Sequence, residues 1–94
     1  MNTVLLGNFK SVDQFDGRNG AVKNQFIIQT DKGLVFQSYN TVIAAKIEGK
    51  RYLDAKNWDY STTTGKYRNQ FLNETKKETE KKIKSGEYIM TDLN

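Results

Sequence analysis

Between Val22 and Thr30 apolar and polar positions alternate imperfectly, with Phe26 and Ile28 on one side and Gln25, Ile27 and Gln29 on the other. That is the two-residue period of a β-strand. Asp31-Lys32-Gly33 follows as a three-residue hairpin loop, with Gly33 suited to the left-handed position. The chain returns from Gly33 to Tyr39, with Leu34 and Phe36 on one face and Val35, Gln37 and Tyr39 on the other. Ser38 to Thr41 reads as a corner and Thr41 to Ile47 as a partly β-branched strand. Glu48-Gly49-Lys50 then turns the chain into Arg51 to Leu53. Upstream, the apolar run Thr3 to Leu6 reads as a short strand. The spacing of three between Phe9, Val12 and Phe15 reads as a helical turn, and Asp16-Gly17 with Asn19-Gly20 as an exposed loop.

After Asp59 the period changes. Tyr67, Phe71, Thr75, Thr79 and Ile83 recur every four residues with Leu72 beside them, which predicts one amphipathic helix of about twenty residues. Thr63 or Thr64 is the expected N-cap and Gly86 the residue that ends it. Glu78 with Lys82, and Glu80 with Lys84, have the order and spacing of i,i+4 ion pairs. Threonines in the middle of the stripe predict shallow contact there, so the first helical turns should anchor on the sheet. Tyr88-Ile89-Met90 is a short last strand or a packed tail. The expected fold is α+β: an antiparallel β-sheet of four to five strands in a meander, with one C-terminal amphipathic α-helix packed on one face. A single domain spans residues 1–94.

Composition narrows the function more than the fold. The chain is 36% hydrophobic and 12% aromatic, which argues against disorder. It has no cysteine and no histidine. Disulfides, thiol chemistry, the usual neutral-pH base and the commonest zinc ligand are thereby excluded. No run is long enough to span a bilayer, and the N-terminus lacks the basic start of a signal peptide. A cytoplasmic location and no membrane partner are expected. Net charge is +4, which permits nucleic acid or an acidic protein as partner without requiring either.

Thr64-Gly65-Lys66 at a helix start has part of a phosphate loop, but Tyr60 stands where the first glycine belongs and Tyr67 where Ser or Thr belongs. Free N–H groups, hydroxyls, Lys66 and Arg68 can hold an anion there; helix capping is the simpler account. Lys32, Gly33, Phe36 and Tyr39 fit the strand signature of an RNA-recognition motif, whereas Leu34, Val35 and Gln37 do not. Asp13, Asp16 and Gly17 lack calcium-loop spacing. Asp54 and Asp59 read as turn residues, with Asp59 accepting from Ser61 to Thr63, rather than as paired carboxylates. No Ser or Thr is marked by a base. We expect no enzymatic activity, no cofactor and no metal.

The run Phe36-Gln37-Ser38-Tyr39-Asn40-Thr41-Val42-Ile43-Ala44 is followed by Trp58-Asp59-Tyr60-Ser61-Thr62-Thr63-Thr64-Gly65-Lys66-Tyr67-Arg68-Asn69-Gln70-Phe71-Leu72. Together they resemble a group of small uncharacterised proteins of phages and bacterial mobile elements. The second motif is the more specific, and the likeness runs from Gly33 to Gly86. The resemblance carries no activity to individual residues. It implies a setting in a bacterial host, where small non-catalytic phage proteins often block a host factor, as anti-CRISPR and other anti-defence inhibitors do.

The first expectation is therefore a non-enzymatic protein-binding module, an inhibitor of a host protein, with Tyr39, Tyr60, Lys66 and Arg68 as its contact residues. Trp58 reads as core, and Tyr52 extends the patch if its face agrees. The alternative is a nucleic-acid-binding accessory protein using Lys76, Lys77, Lys81 and Lys84. A third reading is a structural or self-assembling phage component, joined through an exposed strand edge or the half-polar helix face. Oligomeric state is not legible.

Overall fold

The computed structural model describes residues 1–94. A six-stranded sheet runs in the order β1 (Phe9–Gly17), β2 (Gly20–Thr30), β3 (Gly33–Ser38), β4 (Thr41–Ile47), β5 (Lys50–Asp54) and β6 (Tyr88–Thr91). The first five strands form an antiparallel meander, and β6 pairs in parallel with β5. The short α1 (Thr3–Leu6) precedes the sheet, and α2 (Thr62–Leu72) and α3 (Lys76–Ser85) connect β5 to β6. The fold is thus α+β, with six strands rather than four or five and with the expected long helix in two pieces. No helix is long and apolar enough to cross a membrane.

The central meander follows the alternation. Ile27 pairs with Phe36, and Phe36 with Ala44. Phe36 and Ala44 lie in the core cluster with Phe71, Leu72 and Tyr88, and the half-buried Ile27 packs against it, on the face that α2 covers. Ile28 pairs with Val35, and Val35 with Ala45. These belong to a second cluster on the opposite face, closed by Leu6 of α1 and by Leu93 of the C-terminal tail. The sheet is therefore covered on both faces. Glu48 and Gly49, both at positive φ, form the β4–β5 turn. The β2–β3 turn is tighter than a three-residue loop, because Gly33 is already in β3. A Cβ at Gly33 would collide with the backbone carbonyl of Lys46.

Three expectations are corrected. Thr3–Leu6 is a helical turn, not a strand: the Asn2 side chain accepts from the Leu5 N–H, and Leu6 alone is buried. Phe9 to Phe15 lies in β1, not in a helix; irregularities in the pairing beside Ser11 and Asp16 disturb its alternation. The C-terminal helix breaks at Asn73, which adopts the left-handed conformation (φ 56, ψ 49). Thr75 then caps α3 by accepting from the Glu78 N–H, while the Glu78 side chain accepts from the Thr75 N–H. Gly86 ends α3 in the left-handed conformation, as expected.

The two i,i+4 ion pairs do not form. Glu78 is engaged in the cap, and Lys82 pairs with Glu74 across the helix break at 2.8 Å. Thr79 is fully buried rather than shallow, because its hydroxyl donates to Glu74 at 2.6 Å. The C-terminal end of α2 is fixed by Lys46 of β4, whose Nζ donates to the Phe71 carbonyl at 2.6 Å. That placement sets a cation at the negative end of the helix dipole.

Candidate functional site

The junction of β5 and α2 is built from the N-cap outward. Ser61 accepts the Thr64 N–H at 3.1 Å, so the cap is Ser61 rather than Thr63 or Thr64. The Thr64 side chain is free to turn inward, where it is fully buried and hydrogen-bonded to the Ser38 hydroxyl at 2.9 Å. That buried bond joins the start of α2 to the end of β3.

The next residue is Tyr39, in the two-residue turn between β3 and β4. Its φ is +55° and its side chain is 53% exposed. The turn is held by the Tyr39 N–H on the Asn24 carbonyl at 2.6 Å and by Gln37 Nε2 on the Tyr39 carbonyl at 2.8 Å. Tyr60, just before the cap, is 65% exposed. Tyr39 and Tyr60 line one cleft of about 310 Å³ with Ser38, Thr41, Ser61 and Thr63. The structure thus brings together two of the four expected contact residues.

Lys66 and Arg68 lie elsewhere. Lys66 is exposed on α2, its Nζ 5.5 Å from the Tyr67 ring centre. Arg68 is not a surface contact: it is 1% exposed. Its Nη1 donates to the Trp58 carbonyl at 2.8 Å and to Asp59 Oδ1 at 3.3 Å, and its Nη2 donates to Asn69 Oδ1 at 3.2 Å. The guanidinium also lies 5.2 Å from the Trp58 ring centre. Trp58 is half-buried beside the core, as expected, while Tyr52 packs on the opposite face and does not extend the tyrosine patch.

Asp59 does not bond the Ser61–Thr63 segment. It bridges Arg68 and Lys76, the latter at 2.8 Å. The Lys76 hydrogen bond outweighs the opposing effect of burial and, with Arg68, holds the Asp59 carboxyl below its ordinary value. Lys76 is therefore set apart from the other lysines. Lys77, Lys81 and Lys84 are exposed and fall within about 60° of one another around α3 at 3.6 residues per turn.

On the far side of Ser61 lies a groove of about 590 Å³ with no hydrophobic residue in its lining, bounded by Asp59, Lys66, Arg68 and Lys76 over the helical turn at Gly65. Neither this groove nor the buried carboxylates of Asp54 and Glu74 emerges from sequence pattern alone. The partial phosphate-loop match at Thr64-Gly65-Lys66 is the one signal that points to the groove.

No curated protein and no solved structure matches the chain. A family model does match, over residues 10–87, and the chain belongs to that family, the Family of unknown function (DUF8033).

Proposed function

We propose that this chain is a non-enzymatic protein-binding module whose contact surface centres on Tyr39 and Tyr60. The observation that carries the reading is Tyr39 itself. It is a bulky residue held at positive φ in a two-residue turn, where Gly, Asn or Asp is ordinary. Half of its side chain is in solvent, facing the same cleft as the still more exposed Tyr60. Tyrosine is among the residue types that dominate binding energy at protein interfaces. The likeness of the Trp58–Leu72 segment to small phage and mobile-element proteins supports a bacterial host protein as partner, blocked by occupancy in the host cytoplasm.

A second reading, a nucleic-acid accessory protein, is favoured by Lys77, Lys81 and Lys84 on one exposed arc of α3. Self-assembly through the outer strand is disfavoured, because β1 carries two pairing irregularities and three charged residues, Lys10, Asp13 and Asp16.

The test is affinity capture from host lysate followed by titration of the purified partner with Tyr39→Ala and Tyr60→Ala. Loss of at least tenfold in affinity with the fold intact supports the reading; unchanged affinity in the double variant rejects the site. Duplex and single-stranded DNA and RNA titrated at about 50 and 200 mM salt separate the second reading, since phosphate-driven binding falls by orders of magnitude over that range.

A further inference from the structure

Gly65 is the fourth residue of α2, and its backbone lies outside the left-handed region. Glycine inside a helix is less stable than alanine. Packing does not require it here. A Cβ at position 65 would meet Arg68 Nη2 at 3.5 Å and Nη1 at 3.8 Å, ordinary van der Waals contacts. Gly65 is itself buried, and the Arg68 guanidinium packs against it at the floor of the polar groove, with no side chain between them.

That guanidinium has donors to spare. Arg68 is 1% exposed, and its Nε has no partner. Its three hydrogen bonds to protein leave two of the five N–H donors of an arginine unspent. Around that floor stand Lys66, Lys76, Ser61 and Thr62. The N–H groups of Thr62 and Thr63 open α2 and have no acceptor within the helix. The one carboxylate present, Asp59, is shared between Arg68 and Lys76. Three cations against one anion leave two positive charges in excess, the charge of a phosphomonoester dianion.

We propose that the groove over Gly65 binds a phosphomonoester group, with Lys66 and the N-terminus of α2 as its exposed donors and Arg68 as the cation beneath it. The groove has no apolar lining for a lipid tail. It is independent of the reading of Tyr39 and Tyr60, although Ser61 borders both clefts. Two sources share this chemistry: a free phosphate or nucleotide, and the 5′-phosphate of a nucleic-acid strand.

The experiment is an NMR titration of the isotope-labelled protein at constant ionic strength. The probes are inorganic phosphate, a nucleoside 5′-monophosphate, and a short single-stranded DNA with and without its 5′-phosphate. Saturable shifts at the Thr62, Thr63 and Gly65 amides are expected. Gly65→Ala should weaken binding at least tenfold while raising the melting temperature by about 2–8 °C. Lys66→Ala should weaken it several-fold with no change in melting. Equal binding of phosphate and the nucleotide assigns the site to small phosphates, and preference for the 5′-phosphorylated strand assigns it to strand ends.

Any of three results overturns the proposal. The first is no saturable shift with any phosphorylated probe at millimolar concentration. The second is binding unchanged in Gly65→Ala. The third is a Gly65→Ala protein that melts below the wild type, which would make the glycine structural.

Discussion

Asp54, at the end of β5, accepts the backbone N–H of Leu93 at 2.8 Å, and the two residues close the second face of the sheet together. Leu93 alone of the two belongs to that core and is fully buried in it, while Asp54 is 1% exposed. The same carboxylate accepts from Asn94 Nδ2 at 3.1 Å, from the Asn57 N–H at 2.9 Å and from Asn57 Nδ2 at 2.8 Å. One acidic side chain thus organises both the β5–α2 turn and the C-terminal tail. Asn94 extends the lock by bonding both the N–H and the carbonyl of Val42.

Replacing Asp54 with alanine leaves the Leu93 and Asn57 N–H groups without their acceptor. The Leu93 N–H is buried and the Asn57 N–H partly so; at about 1–3 kcal/mol for the buried group and about 1 kcal/mol for the other, we expect a loss of roughly 2–4 kcal/mol in urea denaturation. Asp54→Asn keeps one acceptor oxygen and should lose less. An Asp54→Ala protein as stable as the wild type would show that the tail contributes nothing to the second core.

Arg68 should behave as a structural residue. Its guanidinium serves three acceptors while lying against Trp58. A lysine cannot reproduce that fork. Both Arg68→Ala and Arg68→Lys are expected to destabilise, the former by about 2–5 kcal/mol, as for a large buried side chain removed together with its hydrogen bonds. The exposed Lys66→Ala should change stability by no more than about 0.5 kcal/mol. Thermal melts of the three variants give the comparison, and similar midpoints for all three would contradict it.

Acid should weaken the fold with a defined sign. Burial alone would raise the pKa of Glu74, but hydrogen bonds from Lys82 and Thr79 outweigh it and hold the carboxyl below its ordinary 4.5. Asp59 is likewise held below 3.8. Below their unfolded values both groups bind protons more readily in the unfolded chain. Their stabilisation is therefore complete above the ordinary carboxylate range and is lost as pH falls through the lower folded values. The urea midpoint should be flat from about pH 5 to 7 and decline below about pH 4.5. Glu74→Gln should flatten the decline while lowering stability at neutral pH, where it leaves Lys82 without its anion.

The helix break offers a local test. Thr75 and Glu78 cap each other reciprocally, and Thr75→Ala should destabilise by about 1 kcal/mol. Lys77→Ala, one residue into the exposed face, should not. Equal denaturation midpoints for Thr75→Ala and wild type would mean that the helices do not depend on this cap.

That break also shows where sequence reading succeeds and where it stops. Strands β2 to β5 are legible from their apolar runs and the turn residues between them, with Ile27 and Phe36 on one face and Ile28 and Val35 on the other; burial itself does not alternate, since Val42 to Ala45 of β4 are all buried in a sheet covered on both faces. The four-residue recurrence from Tyr67 to Ile83 runs straight through Asn73 and conceals the break, although Thr75-Lys76-Lys77-Glu78 is a capping-box pattern. Phe9 and Val12 suggest a helical spacing, yet they are 59% and 49% exposed and serve no buried stripe. Arg68 reads as a surface cation because its burial depends on Trp58 and Asp59 folding over it. The bond from Leu93 to Asp54 spans 39 positions and leaves no local pattern to read. Of the candidate site, the tyrosines are visible as residue types, but their convergence depends on the Ser38–Thr64 bond.

Tyr39 supplies the last prediction. Its left-handed backbone (φ 55) is strained for any residue with a Cβ, and its ring is half in solvent. Both glycine and alanine remove the ring, but glycine relieves that strain and alanine keeps it. Tyr39→Gly should therefore be the more stable of the two by about 0.5–1 kcal/mol. In a domain of this size the difference corresponds to roughly 2–8 °C in melting temperature. Both variants should lose partner affinity to the same extent, because both lack the ring. Such a split between stability and binding would mean that the strained tyrosine serves contact rather than folding. If Tyr39→Gly instead melts below Tyr39→Ala, the left-handed backbone at position 39 stores no strain, and the conformation of the turn gives no support to a contact role for Tyr39.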